Sequence, residues 1–405
     1  MNYRRGNTFW NSSFLLVFII EVMLQMGMSV INPNIANFAV SLNATITTAG
    51  LIVGLNYASS LCLRAVNGLV CDVFYKPTLL LVSCATYIVS SIGFMVSATP
   101  EMVSVFRVVQ GVAFVIKSSV VISITSLVVP KEKVGQAVGV VGLGFTVGCA
   151  LGPFLGNCLG VRYGYRASFL LSAFFFIVAL VLALLLKEKA CLERHKGVAI
   201  GIKDIIAQIS PKRMFYIPAL PVTFAIAFSF ASQSLLLNLL LLMASVEGIN
   251  GASVYYLAYA LCAMLSKPLS GRFFDRYGLL RVMVPMCLLV MAAMSILAFN
   301  FCYSTILLAG ILMGIGQGSV YSCLQAEAIR RAPEEKSGQA ANMFYLGSDA
   351  VQFFGPFLFA SLFDSFGTSV CFGFAALTPI FSVASYVVLR KIVDGEGAIA
   401  QDSRR

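Results

Sequence analysis

The chain has 405 residues, of which 59% are hydrophobic and only 11% charged, with a net charge of +11 and a mean hydropathy of +0.90. Soluble chains carry about 25% charged residues, and a soluble domain of this length needs a polar shell that this composition does not supply. A soluble enzyme, a soluble nucleic-acid binder and a disordered chain are excluded, which leaves a polytopic membrane protein.

The apolar runs are long and continuous, not ten-residue alternating segments, so the expected bundle is all-α. Runs of about 20 residues cross a bilayer as helices. Six are predicted in the first half, at 13–35, 46–69, 78–97, 102–128, 137–158 and 167–186. Six more follow at 215–242, 251–271, 280–299, 303–327, 339–362 and 370–390. The first run follows Arg4 and Arg5, but eleven others come after it and no small-residue cleavage site ends it. It therefore reads as a span and not as a signal peptide. The longest polar stretch, from Lys187 to about Arg213, separates the two sets of six. Within it Ile202, Ile205, Ile206 and Ile209 fall at helical spacing, which predicts a segment lying on the membrane surface. The expected organisation is a six-helix half at 1–186, a cytoplasmic linker at 187–213, and a second six-helix half with its tail at 214–405.

Basic residues set the orientation. With the N-terminus in the cytoplasm, the outer loops hold only Arg162 and Arg166. Arg64, Arg107, Lys117 and Lys267 fall within spans, and every other lysine and arginine lies on the inner side. Both termini are thus expected inside, at the cell membrane, and the net charge reflects topology instead of a nucleic-acid partner. The cysteines sit mostly inside apolar runs without CxxC spacing and read as small packing residues. His195, the only histidine, has Cys191 four residues before it, which does not complete a metal site. No G-x-x-x-x-G-K-[ST] loop is present. No metal, cofactor or enzymatic activity is expected.

The halves align on each other. Arg64-x-x-x-Gly68-x-x-x-Asp72 recurs as Lys267-x-x-x-Gly271-x-x-x-Asp275, at an offset of 203 residues. The loop from Pro130 to Ala137 recurs from Pro333 to Ala340, and Gly152-Pro153-Phe154-Leu155 recurs as Gly355-Pro356-Phe357-Leu358, each at 203 again. Parallel repeats of this kind belong to transporters that alternate access by rocking.

Gly68, Asp72 and Lys76 form a shortened copy of a loop motif whose fuller copy is Gly271, Asp275, Arg276, Gly278 and Arg281. The fourth span carries Arg107-Val108-Val109-Gln110-Gly111, and the fifth carries Gly148, Gly152, Pro153 and Gly156 in a G-x-x-x-G-P-x-x-G pattern. In these residues nearly the whole chain resembles the major facilitator superfamily. The resemblance implies two pseudo-symmetric six-helix halves with spans one, four, seven and ten lining a central cavity. The G-x-x-x-G-P pattern resembles proton-driven exporters. In physical terms, small residues four apart permit close helix contact, and a proline bends the span. An aspartate at a helix end can latch onto arginines or a neighbouring helix N-terminus. The bland alternative is that the loop charges only mark a cytoplasmic side.

An ionisable group inside a bilayer is costly, so each is a functional candidate. Glu21 lies near the middle of span one, with Gln25 and Asn32 on its face. In span four, Gln110 and Lys117 share a face, and Lys117 is expected at the depth of Glu21. The pair reads either as a fixed structural ion pair or as a proton or substrate site, with Arg107 as a further partner. Asp349 in span eleven is a second protonation site or a packing hydrogen-bonder. Spans seven and ten offer Ser229, Gln233, Gln317 and Tyr321. Glu327, at the inner end of span ten, is expected to be solvated. The expected protein is a monomeric secondary transporter exporting a small organic solute in exchange for protons. An uptake symporter of the same fold, or a non-transporting membrane sensor, is the alternative.

Overall fold

A computed structural model describes residues 10–130, 133–189, 216–333 and 336–402, without side chains at 65, 66, 68–73, 135, 187–189, 337 and 394–402. The chain divides into two compact units, Met1–Ala207 and Gln208–Arg405. Regular structure among the described residues is entirely helical. The expected linker lies outside the described residues, apart from 187–189 at the end of a helix.

Unit 1 contains α1 (Ser12–Ile31), the short α2 (Ile35–Ser41), α3 (Ile46–Val73), α4 (Lys76–Val96), α5 (Pro100–Val128), α6 (Val134–Tyr163) and α7 (Tyr165–Lys189). Unit 2 opens with a 3-10 turn at Ile217–Ala219 and continues with α8 (Leu220–Val246), α9 (Val254–Tyr277), α10 (Leu279–Phe299), α11 (Tyr303–Arg330) and α12 (Ser337–Asp402). Local sequence explains the helix starts. The Asn11 side chain accepts from Phe14 N at 2.8 Å and donates to Val128 O at 2.7 Å, so one residue caps α1 and ties it to the end of α5. Thr99 caps α5, with Pro100 supplying the pre-set φ of a first helical residue.

Ten stretches among the described residues are long and apolar enough to cross a membrane. One of them, Gly338–Val393, is broken at Gly367, where φ is 80° and the helix cannot continue. Helix α9 has the length, at 24 residues, but carries Lys267, Arg272, Asp275 and Arg276. Twelve spans are compatible with this arrangement. The surface is apolar, with Leu170, Phe174, Val181, Leu265 and Phe299 all exposed, as suits helices bathed in lipid.

The sequence repeat is also a repeat of structure. Helix α4 begins at 76 and α10 at 279, α5 at 100 and α11 at 303, α6 at 134 and α12 at 337. Gly164, which ends α6 with φ 86°, matches Gly367 in α12. Within unit 1, α1 packs on α6 and α7, and α5 packs on α3 and α4. Within unit 2, α8 packs on α12, and α11 packs on α9 and α10. One tight crossing repeats as well. A Cβ at Gly111 would strike the Asn56 carbonyl oxygen, and one at Gly314 would strike that of Tyr259. Both residues of each pair are related by the 203-residue offset, so the close approach of backbones is built into the repeat.

Candidate functional site

In unit 1 a polar seam joins α1 to α5. Lys117 Nζ donates to Glu21 Oε1 at 2.6 Å, and the Gln25 side-chain oxygen lies 3.5 Å from the same nitrogen. Both charged side chains are buried, each only 6% exposed. Lys117 Nζ also sits 5.6 Å from the centre of the Phe145 ring. Gln25 donates to Ser29 Oγ at 3.1 Å and to Cys149 Sγ at 3.3 Å. Glu21 Oε2 has no hydrogen-bond partner among the described residues.

The glycines of α6 allow this arrangement. A Cβ at Gly148 would fall 2.6 Å from Gln25 Cβ, and one at Gly152 would fall 2.6 Å from Ser29 Cβ. One at Gly156 would lie 2.8 Å from Val30 O. Helix α6, which contains Pro153, therefore lies directly on the polar face of α1 and brings Cys149 to Gln25.

Arg107 belongs to a second contact of the same seam. Its Nη1 donates to Asn32 Oδ1 at 3.0 Å and to Gln110 Oε1 at 2.6 Å, and its Nη2 donates to Val53 O at 2.8 Å. Glu21 meets Lys117 while Asn32 meets Arg107, so α1 and α5 run antiparallel along the seam. The ten residues from Arg107 to Lys117 place the two contacts about 15 Å apart. Arg107 therefore does not partner Glu21, contrary to the expectation from charge alone; its partners are neutral oxygens. Arg107 Nε and Gln110 Nε2 have no hydrogen-bond partner among the described residues.

Unit 2 is different at the corresponding helices. Ser229 Oγ donates to Gln317 Oε1 at 2.9 Å, and Tyr255 OH donates to Gln233 Oε1 at 3.3 Å. Both glutamine Nε2 atoms lack partners among the described residues. Tyr321 packs edge-on against Phe344 with ring centres 5.0 Å apart. Asp349 is buried on α12; nearby, Gln352 Oε1 accepts from Asn238 at 3.1 Å. Glu327 corrects the expectation of a solvated carboxylate. It is buried, accepts from Tyr386 OH at 2.9 Å and from Arg331 Nε at 3.1 Å, and pairs with Arg330 at 2.6 Å. The spacing of Glu327 and Arg331 at i and i+4 was a readable sign of this pair. Tyr386, 59 residues away, had no such sign.

Among the loop-motif residues, the side chains of Gly68 and Asp72 lie outside those described. Lys76 begins α4. Gly271, Asp275 and Arg276 lie in the last turns of α9, Arg281 is exposed at the start of α10, and Asp275 is exposed. Among the described residues no three His, Cys, Asp or Glu side chains gather as metal ligands.

The family model described as Major Facilitator Superfamily matches residues 17–278 and 219–402. The chain belongs to that superfamily. An uncharacterized MFS-type transporter of Methanocaldococcus jannaschii is 22% identical over 93% of this chain and 98% of its own length. Multidrug resistance protein MdtG of Dickeya zeae is 25% identical over 66% of this chain and 67% of its own length. A crystal structure of a POT family transporter in complex with a thioalcohol-conjugated peptide superposes with a TM-score of 0.77. It covers 96% of this chain and 98% of the other at 13% identity, a likeness of fold. As a major facilitator the chain is a multi-pass membrane transporter of small molecules and not an enzyme.

Proposed function

We propose that this major facilitator is a secondary active exporter, exchanging protons for a small organic solute. It works as a monomer in the plasma or inner membrane with both termini cytoplasmic. The observation that carries the reading is the buried Glu21–Lys117 pair, whose second carboxylate oxygen is unpartnered. In low dielectric a carboxylate is stable as an ion only beside a cation. Separation from Lys117 favours taking up a proton, and return to Lys117 favours releasing it. A change of access that alters this distance then couples proton movement to transport. Gln25 adjoins the pair, and Gln233, Gln317 and Tyr321 supply neutral polar and aromatic contacts for the solute. Asp349 is a second candidate for protonation. The copy of the loop motif at Gly271, Asp275, Arg276 and Arg281, with its partner at Gly68, Asp72 and Lys76, biases the access state. The export direction rests on the Gly148–Gly156 pattern and on the likeness to a multidrug resistance protein.

Inside-out vesicles given a panel of candidate solutes test the reading. An exporter of this kind accumulates its solute when the lumen is made acidic and stops when the gradient is collapsed. Accumulation confined to right-side-out vesicles acidified outside would instead identify an uptake symporter. Accumulation indifferent to pH in both would overturn proton coupling.

A further inference from the structure

Unit 2 carries a groove of about 400 Å³ between α10 and the second arm of α12, beyond Gly367. Val284, Leu288 and Met291 line one wall and Ile380, Val383 and Val387 the other. These are one-face spacings on both helices. All six are apolar, and both walls belong to membrane-crossing stretches. Leu288 and Ile380 are each more than half exposed, so the groove opens sideways from the unit. From Val284 to Met291 the wall runs about 10 Å, within one leaflet of a hydrocarbon core about 30 Å thick.

The groove has a charged end. Arg281 precedes Val284 by three residues, and Arg390 and Lys391 follow Val387 by three and four. Each therefore continues the lining face of its own helix past the groove. All three are exposed. The two walls run in opposite directions: Tyr386, near the end of the α12 face, belongs to one core cluster with Leu279 and Met283 at the start of α10. The three cations thus gather at one end of a greasy slot. Unit 1 is built differently at the same offset. Pro379, which also lines the groove, is matched there by Phe176, whose ring is buried and stacked on Tyr87 at 4.5 Å. Arg281 is matched by Thr78.

We propose that this groove is a binding site for an anionic phospholipid. One acyl chain lies between α10 and α12, and the phosphate-bearing headgroup meets Arg281, Arg390 and Lys391. Lipid is the solvent this face meets, and charge complementarity selects the anionic headgroup over a zwitterionic one.

The test uses the full chain in nanodiscs of equal parts phosphatidylglycerol and phosphatidylcholine, with native mass spectrometry of lipids kept after mild detergent release. The wild type should retain phosphatidylglycerol over phosphatidylcholine by tenfold or more. The triple variant Arg281→Gln, Arg390→Gln, Lys391→Gln should lose that preference. Ala384→Phe, which fills the groove, should lose the retained lipid of either kind. A photoreactive acyl chain on phosphatidylglycerol should label α10 and α12 in the wild type and not in Ala384→Phe. Equal retention and labelling in all three proteins would overturn the site. So would the same loss from Val181→Phe, an exposed residue of α7 in unit 1 that is far in sequence from the groove.

Discussion

Unit 1 and unit 2 share helix starts, a left-handed glycine and one tight helix crossing at one offset, yet they bury different chemistry. At that offset Glu21 is matched by Phe224, Lys117 by Val320 and Arg107 by Gly310. The first unit therefore holds charges on the facing helices α1 and α5. The second fills the corresponding helices α8 and α11 with Ser229, Gln233 and Gln317, and collects charge at the end of α11 around Glu327. A backbone repeat needs only its small residues and apolar surface preserved. The polar side chains are free to diverge: the buried Glu21–Lys117 pair belongs to one half alone, while Asp349 puts a buried carboxylate without that lysine's counterpart in the other.

Mutations in the two units test that contrast. The largest effect is expected from Lys117→Ala, which leaves Glu21 buried without its cation. Loss of one partner of a buried pair costs about 3–5 kcal/mol. Gln317→Ala in unit 2 removes a neutral hydrogen bond worth roughly 1 kcal/mol. Thermal unfolding in detergent should therefore separate the two clearly, and equal losses would erase the distinction between the units. Next come the shared crossings. Gly111→Ala and Gly314→Ala should each destabilise by about 1–3 kcal/mol through overpacking, and by similar amounts because the contact repeats. Gly355→Ala, whose nearest neighbour would be the Ser234 hydroxyl at 3.1 Å and no backbone atom, should cost less. A large difference between Gly111→Ala and Gly314→Ala would show that the repeat is not energetic. The smallest stability effect belongs to Asp275→Asn. An exposed change of this kind stays within about 0.5 kcal/mol, while cysteine labelling from the two membrane sides should shift. Unchanged labelling with normal transport would remove Asp275 from the proposed latch.

Much of this architecture was legible in the sequence because its signals are local or periodic. Continuous apolar runs announce helices in lipid, and the 203-residue offset that aligns Gly152 with Gly355 also aligns Gly164 with Gly367. The common depth of Glu21 and Lys117 followed from counting residues along antiparallel spans. The partners of Arg107 were not legible. Charge alone suggested Glu21, whereas the rise of α5 carries Arg107 to Asn32 and a backbone carbonyl. Glu327 was misread because its place at a helix end suggested water. Tyr386, brought from the second arm of α12, covers it. Such contacts depend on which faces pack together, and no local pattern encodes that.

In the proposed cycle, Glu21 exchanges a proton against Lys117 during transport. The direct measurement is solute flux against an imposed pH gradient in proteoliposomes holding wild type or Glu21→Gln at equal protein content. Glu21→Gln is expected to exchange labelled solute across the membrane but not to concentrate it when a gradient is applied. If Glu21→Gln concentrates solute as the wild type does, the Glu21–Lys117 pair is structural and the account of coupling is wrong.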